Sequence, residues 1–151
     1  MIQFHWKKFS ELSVNELYAL LKLRSEIFVV EQNCVYLDLD GKDFDVHHLL
    51  GMDNHELVAY LRVFPPSDIE NYVVFGRVVT ARSARAKGYG KQLMQELLSY
   101  CEKHFPSTTI KCSAQHYLLK FYESFGLKAY GDVYMEDAIP HIAMEKFPLI
   151  T

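Results

Sequence analysis

The chain has 151 residues, 50% of them hydrophobic, with 16 Lys+Arg against 19 Asp+Glu and a formal net charge of -3. That length suits one domain, here 1–151, with a sizeable core, and 14% aromatic content excludes a disordered chain. The slightly negative charge gives no support to a nucleic-acid-binding surface. Met1 to Lys8 show no apolar run behind a basic start, and nowhere do about 20 apolar residues follow one another. Neither a secretory signal nor a membrane span is therefore expected. Cys34, Cys101 and Cys112 make an odd set without close pairing, read as reduced thiols of a cytoplasmic protein.

In chain order, Ile2, Phe4 and Trp6 alternate with polar neighbours and predict a first strand. Ser13-Val14-Asn15-Glu16 has capping-box spacing and opens a helix running towards Phe28. No period organises the acidic segment 31–45. His47–Met52 and Glu56–Phe64 then predict a hairpin around Asp53-Asn54. In its second strand Leu57, Ala59, Leu61 and Val63 should face one way, and Val58, Tyr60, Arg62 and Phe64 the other. After Pro65-Pro66, Tyr72–Thr80 predicts another strand. Lys91–Phe105 predicts a helix with Leu93, Met94, Leu97, Leu98 and Cys101 on one stripe. Thr108–Ser113 reads as a buried strand, His116–Phe125 as a helix ended by Gly126, and the remainder as strands with loops. The strand–helix–strand–helix run over 72–126 implies a parallel strand pair with a right-handed crossover, within one mixed α/β domain.

Chemistry first shows at the strand-to-helix turn Arg85-Ala86-Lys87-Gly88-Tyr89-Gly90-Lys91. Backbone N–H groups and the positive end of a helix dipole converge there, and glycine lets a phosphate approach closely. Residues 71–95 carry five basic side chains, Arg77, Arg82, Arg85, Lys87 and Lys91, and no acidic one. A P-loop is excluded, because Lys91 is followed by Gln92 and the glycines are too close together. A dinucleotide fingerprint is excluded because Leu93 stands where its third glycine belongs. On these residues alone, the turn could equally be an ordinary connection with solvated lysines.

Arg85-x-x-Gly88-x-Gly90 resembles the Q/R-x-x-G-x-G/A signature of the GCN5-related N-acetyltransferases (GNAT). Gln115 to Leu127, with Phe121-Tyr122-Glu123 at its centre, is similar to the N-x-x-A-x-x-F-Y-E-x-x-G-F second helix of that superfamily. Gln115 and Leu118 depart from its Asn and small residue, which makes contact of Gln115 with pantetheine less secure. Phe28–Cys34, Asp38–Asp43 and Tyr134–Ile142 resemble the bacterial ElaA-type branch. The resemblance implies a central mixed twisted sheet flanked by helices, with a parallel strand pair splayed to admit acetyl-CoA as co-substrate.

By the same resemblance, the backbone from Arg85 through Ala86, Lys87, Gly88, Tyr89 and Gly90 to Lys91 would hold the pyrophosphate. Val78, Val79 and Thr80 would bond the pantetheine and offer one N–H to the thioester oxygen. Gln115 and Phe121 would lie along the cofactor, and Tyr122 would protonate the departing thiolate, unless it only packs beside Phe121 and Phe125.

The acceptor, a primary amine of a small molecule or peptide, arrives as an ammonium ion and must lose a proton before attack. Glu31, after the apolar Ile27–Val30 run, is the first choice of base. Glu136, Asp137 and His141 stand behind it, and a water chain is the further alternative. Residues 31–45 hold five acids against one lysine, with more acid at 132–137. Asp38 and Asp40 are read as facing a cationic acceptor, with Glu31, His47, Glu136 and His141, or simply as solvated. Adjacent His47 and His48 point to opposite sheet faces and cannot readily share an ion, so no metal is expected. Two other functions compete: a non-catalytic acyl-CoA-binding module, and an acyltransferase resembling acyl-homoserine-lactone synthases. A homodimer is left open; nucleic acid and membrane partners are not expected.

Overall fold

The computed structural model describes residues 1–149. Seven strands form one sheet in the order β1-β2-β3-β4-β5-β7-β6. They are β1 (Ile2–Lys8), β2 (His47–Asp53), β3 (Glu56–Phe64), β4 (Val73–Thr80), β5 (Ile110–Gln115), β6 (Lys128–Glu136) and β7 (Ile139–Lys146). Every neighbouring pair is antiparallel except β4–β5. Helix α1 (Val14–Arg24) covers one face, where Leu20, Leu23 and Ile27 pack with Tyr60 and Val79. Helices α2 (Tyr89–His104) and α3 (Leu119–Glu123) cover the other, over Leu61, Val63, Phe75 and Met144. The mixed α/β architecture expected from the sequence is the one observed.

Local chemistry explains where the elements begin. The Ser13 hydroxyl accepts from the Glu16 N–H at 3.0 Å while the Glu16 carboxylate accepts from the Ser13 N–H at 2.8 Å, which starts α1. Past Arg24 the helix widens into a π-helical stretch, Ser25–Glu31, ending near the expected Phe28. The second predicted helix begins at Tyr89 rather than Lys91. The third is shorter than His116–Phe125: a 3-10 turn over His116–Leu118 precedes the five-residue α3, and Gly126 closes it with φ +90.

Two bulges correct strict alternation. Gly51 pairs with Ala59 and Met52 with Leu57, so Val58 is an extra residue in β3. Leu57 therefore joins Tyr60 on the α1 face, while Val58 joins Ala59, Leu61 and Val63 in the opposite core. Gly51 must stay bare, since a Cβ there would lie 2.9 Å from Ile2 and 3.0 Å from Ala59.

The second bulge positions the site. In β4, Gly76 pairs with Arg62 and Val79 with Tyr60, leaving Arg77 and Val78 against Leu61, with Arg77 at φ 52. Val79 is thereby turned to the α1 face, although Val73 and Phe75 face the other core. The parallel ladder is short: Val73 pairs with Ile110 and Val74 with Lys111, and beyond these the strands part. The splay lies between the C-terminal ends of β4 and β5.

Much of the acidic segment is turned inward onto arginines, although Asp45 stays exposed. Asp38 is 3% exposed and Asp43 7%, and both bind Arg24, itself fully buried. Arg24 Nε donates to Asp38 (2.8 Å) and its Nη1 to Asp43 (2.7 Å). Arg62 binds Asp40 and Asp43, and Arg77 donates to Asp38 at 2.8 Å. Three arginines from α1, β3 and β4 thus fold the loop down by its own carboxylates. Its aliphatic side chains Val35 and Leu37 point outward instead. His48 completes the anchor: its Nε2 donates to the Asp43 carbonyl (2.9 Å), so its Nδ1 accepts from the Tyr60 hydroxyl (2.6 Å).

Candidate active site

The glycine turn stands at the head of α2, beside the open end of the splay. Gly88, at φ +77, is the residue before the helix, and Ala86 shares the left-handed conformation at φ 66. The first intrahelical bond runs from the Gln92 N–H to the Gly88 carbonyl at 3.2 Å. The N–H groups of Tyr89, Gly90 and Lys91 have no intrahelical acceptor and project from the helix end. Arg85, Ala86, Lys87 and Gly88 are exposed. Tyr89 contributes only backbone, because its ring is buried and its hydroxyl donates to Asp53 at 2.6 Å. Phe121 lies against this first turn, 3.6 Å from where a Cβ on Gly90 would stand. The local geometry is that of an anion cradle.

Tyr122, on α3, is 5% exposed and packs edge-on against Phe121, near Phe75. Among the described residues its hydroxyl has no protein hydrogen-bond partner, yet it is not among the fully enclosed orphan polar atoms. Burial pushes its pKa well above the ordinary tyrosine range, so the group stays protonated and available as a donor at neutral pH. Val78, Val79 and Thr80 line the β4 side of the gap.

Several expected acceptor residues are elsewhere engaged. Glu31 is not tucked behind its apolar run; it forms a two-pronged ion pair with Arg85 on the glycine turn. Arg85 holds its carboxyl below the ordinary range, the reverse of what a base for an ammonium ion needs. Asp38 and Asp40 are spent on arginines, as described above. His47 stands at the far end of the sheet, where β2 starts beside the C-terminal end of α2, with its Nδ1 2.8 Å from the Tyr100 hydroxyl. Burial lowers its pKa. The amide of Gln115 pairs reciprocally with that of Gln32 at 3.2 Å, tying the end of β5 to the loop after α1.

Glu136 and His141 do come together. His141 lies opposite Gln115 across the β5–β7 ladder and opposite Tyr134 across β6–β7. All three share the α1 face with Ser113, whose hydroxyl reaches both Tyr134 and Glu136. Nearby, a cleft of ≈ 240 Å³ separates residues 32–35 from 137–139, and the Cys34 thiol bridges it to the Asp137 carbonyl at 2.8 Å. A larger hollow of ≈ 430 Å³ lies along β1, between His5, Lys7 and Glu16, remote from the splay. Sequence reasoning missed Ser113, Tyr134 and Gln32; strand parity with Gln115 and His141 is the signal that could have found the first two. All three thiols are free, and among the described residues no helix is long and apolar enough to cross a membrane.

Known proteins share this fold. The acetyltransferase (GNAT) domain family matches residues 29–147. Protein ElaA of Escherichia coli is 47% identical over 148 residues, covering 97% of each chain. The crystal structure of Escherichia coli ElaA superposes with a TM-score of 0.89 at 46% identity, over 97% of this chain and 99% of that one. An acyl-CoA N-acyltransferase from Pseudomonas aeruginosa superposes with a TM-score of 0.91 at 43% identity, with the same coverage. An aminoglycoside 6'-N-acetyltransferase complexed with coenzyme A shares the fold alone, with a TM-score of 0.72 at 17% identity. A family match over most of the chain, joined to near-complete overlap with relatives this similar, means that the chain belongs to the GNAT acetyltransferase family, in its ElaA-type branch.

Proposed function

We propose that this chain is an N-acetyltransferase that passes an acetyl group from acetyl-CoA to a primary amine by direct attack. The observation that carries the proposal is the alignment of three features at one place: a two-pair parallel ladder that opens, a glycine turn heading α2, and a buried phenol without a protein partner. The coenzyme A bound to a protein of the same fold supports the choice of donor. Three unpaired thiols suit the reducing cytoplasm.

In this mechanism the N–H groups of Tyr89, Gly90 and Lys91 bind the pyrophosphate, assisted by Arg85, Lys87 and Lys91 side chains. Glu31 then competes with the pyrophosphate for Arg85 and is displaced as the donor settles. Val78 to Thr80, beyond the last β4–β5 pair, have backbone groups available to the pantetheine. One β4 N–H faces the thioester oxygen and stabilises the charge that develops during attack. The amine nitrogen bonds to the carbonyl carbon, the C–S bond breaks, and Tyr122 gives its proton to the leaving thiolate. The Tyr122 phenol is restored by the proton that leaves the attacking nitrogen as the amide forms.

Tyr122→Phe keeps the packing and removes the donor. Its kcat should fall by about 10- to 1000-fold while the Kd for acetyl-CoA stays unchanged. Steady-state thiol release paired with calorimetry makes the measurement. Equal kcat in both proteins would remove Tyr122 from the chemistry.

A further inference from the structure

We infer that His141, braced by Glu136, is the base that takes the proton from the acceptor ammonium. The inference rests on the acetyl-transfer assignment and adds what that assignment leaves open: the base, and the charge state in which the acceptor arrives.

The tautomer follows from the bonding. His141 is 8% exposed, and its Nδ1 lies 2.7 Å from the Ile139 carbonyl, which can only accept. Nδ1 therefore carries the hydrogen, and the Nε2 of the neutral ring presents a lone pair. That lone pair lies 3.3 Å from Glu136 Oε2, another acceptor. An N–H cation entering between them would meet two acceptors at once. Glu136 is held for this purpose. Ser113 Oγ donates its one hydrogen to Glu136 Oε2 at 3.2 Å, so the Tyr134 hydroxyl must donate to Ser113. Tyr134 also stacks on the His141 ring, with centroids 6.1 Å apart. The result is a half-exposed carboxylate beside a buried imidazole nitrogen, one strand away from the splay and next to the cleft between residues 32–35 and 137–139.

The proton balance is simple. An R–NH3⁺ acceptor hydrogen-bonds to Glu136 and gives one proton to Nε2, and the imidazolium formed pairs with Glu136. The freed lone pair attacks the thioester carbonyl. The second proton lost by nitrogen returns to Tyr122 after the thiolate has been protonated, and the imidazolium releases its proton to solvent. The titratable and charged groups around His141 are Glu136 and Tyr134 on β6 and Asp137 in the turn between β6 and β7. The turn His116–Leu118 also packs on β7 and carries a second histidine.

The test compares spermidine and a lysine-containing peptide, both protonated at neutral pH, with hydroxylamine, which is largely unprotonated there. His141→Gln should lower kcat/KM for the protonated amines by about 100-fold or more, and leave hydroxylamine within a few-fold of wild type. Glu136→Gln, at a half-exposed position that tolerates change, should raise KM for spermidine and the lysine peptide by about 10-fold with little change for hydroxylamine, because the ammonium loses its carboxylate. His116→Gln should leave all three rates within a few-fold of wild type. Unchanged rates with the protonated amines in His141→Gln and Glu136→Gln would overturn the inference, and so would equal losses with hydroxylamine and the protonated amines. Wild-type enzyme that releases no thiol with any of these nucleophiles would instead remove the acetyl-transfer assignment itself.

Discussion

Replacing Arg24 by alanine should lower folding stability by about 3–5 kcal/mol. The residue is fully buried and makes three bonds to the loop it anchors: to both oxygen-bearing groups of Asp38 and to the Asp43 carboxylate. Its removal leaves the Asp38 carboxylate to Arg77 and the Tyr36 hydroxyl, and the Asp43 carboxylate to Arg62, with a cavity under the Tyr60 ring. A surface ion pair would cost about 1 kcal/mol or less, so urea unfolding separates the two cases. Adding Asp43→Asn to the alanine variant should recover part of the loss, because one stranded charge is gone.

The same network fixes a pH signature. Burial alone would raise the pKa of Asp43, but the bonds from Arg24 and Arg62 outweigh it and hold the carboxyl below its ordinary value. For Asp40 the Arg62 hydrogen bond has the same effect. A group depressed in the folded state contributes stability that is complete above its unfolded pKa, about 3.9, and is lost as pH falls through the lower folded value. The penalty of Arg24→Ala should therefore be full at neutral pH and shrink below about pH 4.

Gly88→Glu should abolish acetyl-CoA binding at micromolar concentrations while the protein stays folded. Nothing lies within 4 Å of a Cβ built at this position, so no steric clash with the protein arises. The φ of +77 adds a conformational cost of about 1–2 kcal/mol for any side chain. The decisive effect is charge. A carboxylate beside the free N–H groups of α2 occupies the anion cradle itself and repels a pyrophosphate. At about 4 Å and an effective dielectric constant near 20 the repulsion is about 4 kcal/mol, roughly 1000-fold in affinity. Gly88→Ala carries the strain without the charge and should retain most of the affinity. Calorimetric titration of both variants makes the distinction; equal Kd values would place the pyrophosphate elsewhere.

The glycine turn, the start of α2 and the position of Tyr122 were legible because each is a local feature. A glycine turn, a helix start and a tyrosine on the next helix all lie within short stretches whose periodicity survives in the fold. The acceptor half depends on pairings far apart in the chain. Arg24 meets Asp38 and Asp43, and Arg77 meets Asp38 across 39 positions, so a run of acids that resembles a charged surface becomes an internal anchor. Likewise Glu31, placed by its apolar neighbours behind a hydrophobic run, is drawn out by Arg85, 54 positions away. The bulge at Arg77 and Val78 carries no proline or extra glycine beyond Gly76 to announce it, yet it turns Val79 to the α1 face. Most of the acidic run 31–45 is therefore an internal anchor, with Asp45 left exposed. Part of the basic run neutralises the acidic one.

The most direct test of acetyl transfer mixes the purified wild-type protein with acetyl-CoA and the amine panel, then follows free thiol and the acetylated amine together. Thiol and N-acetyl product should appear in equal amounts over many turnovers, with both lost in Gly88→Glu. Saturable acetyl-CoA binding without thiol release or acetylated product from any amine would contradict the account and describe a non-catalytic acyl-CoA-binding module.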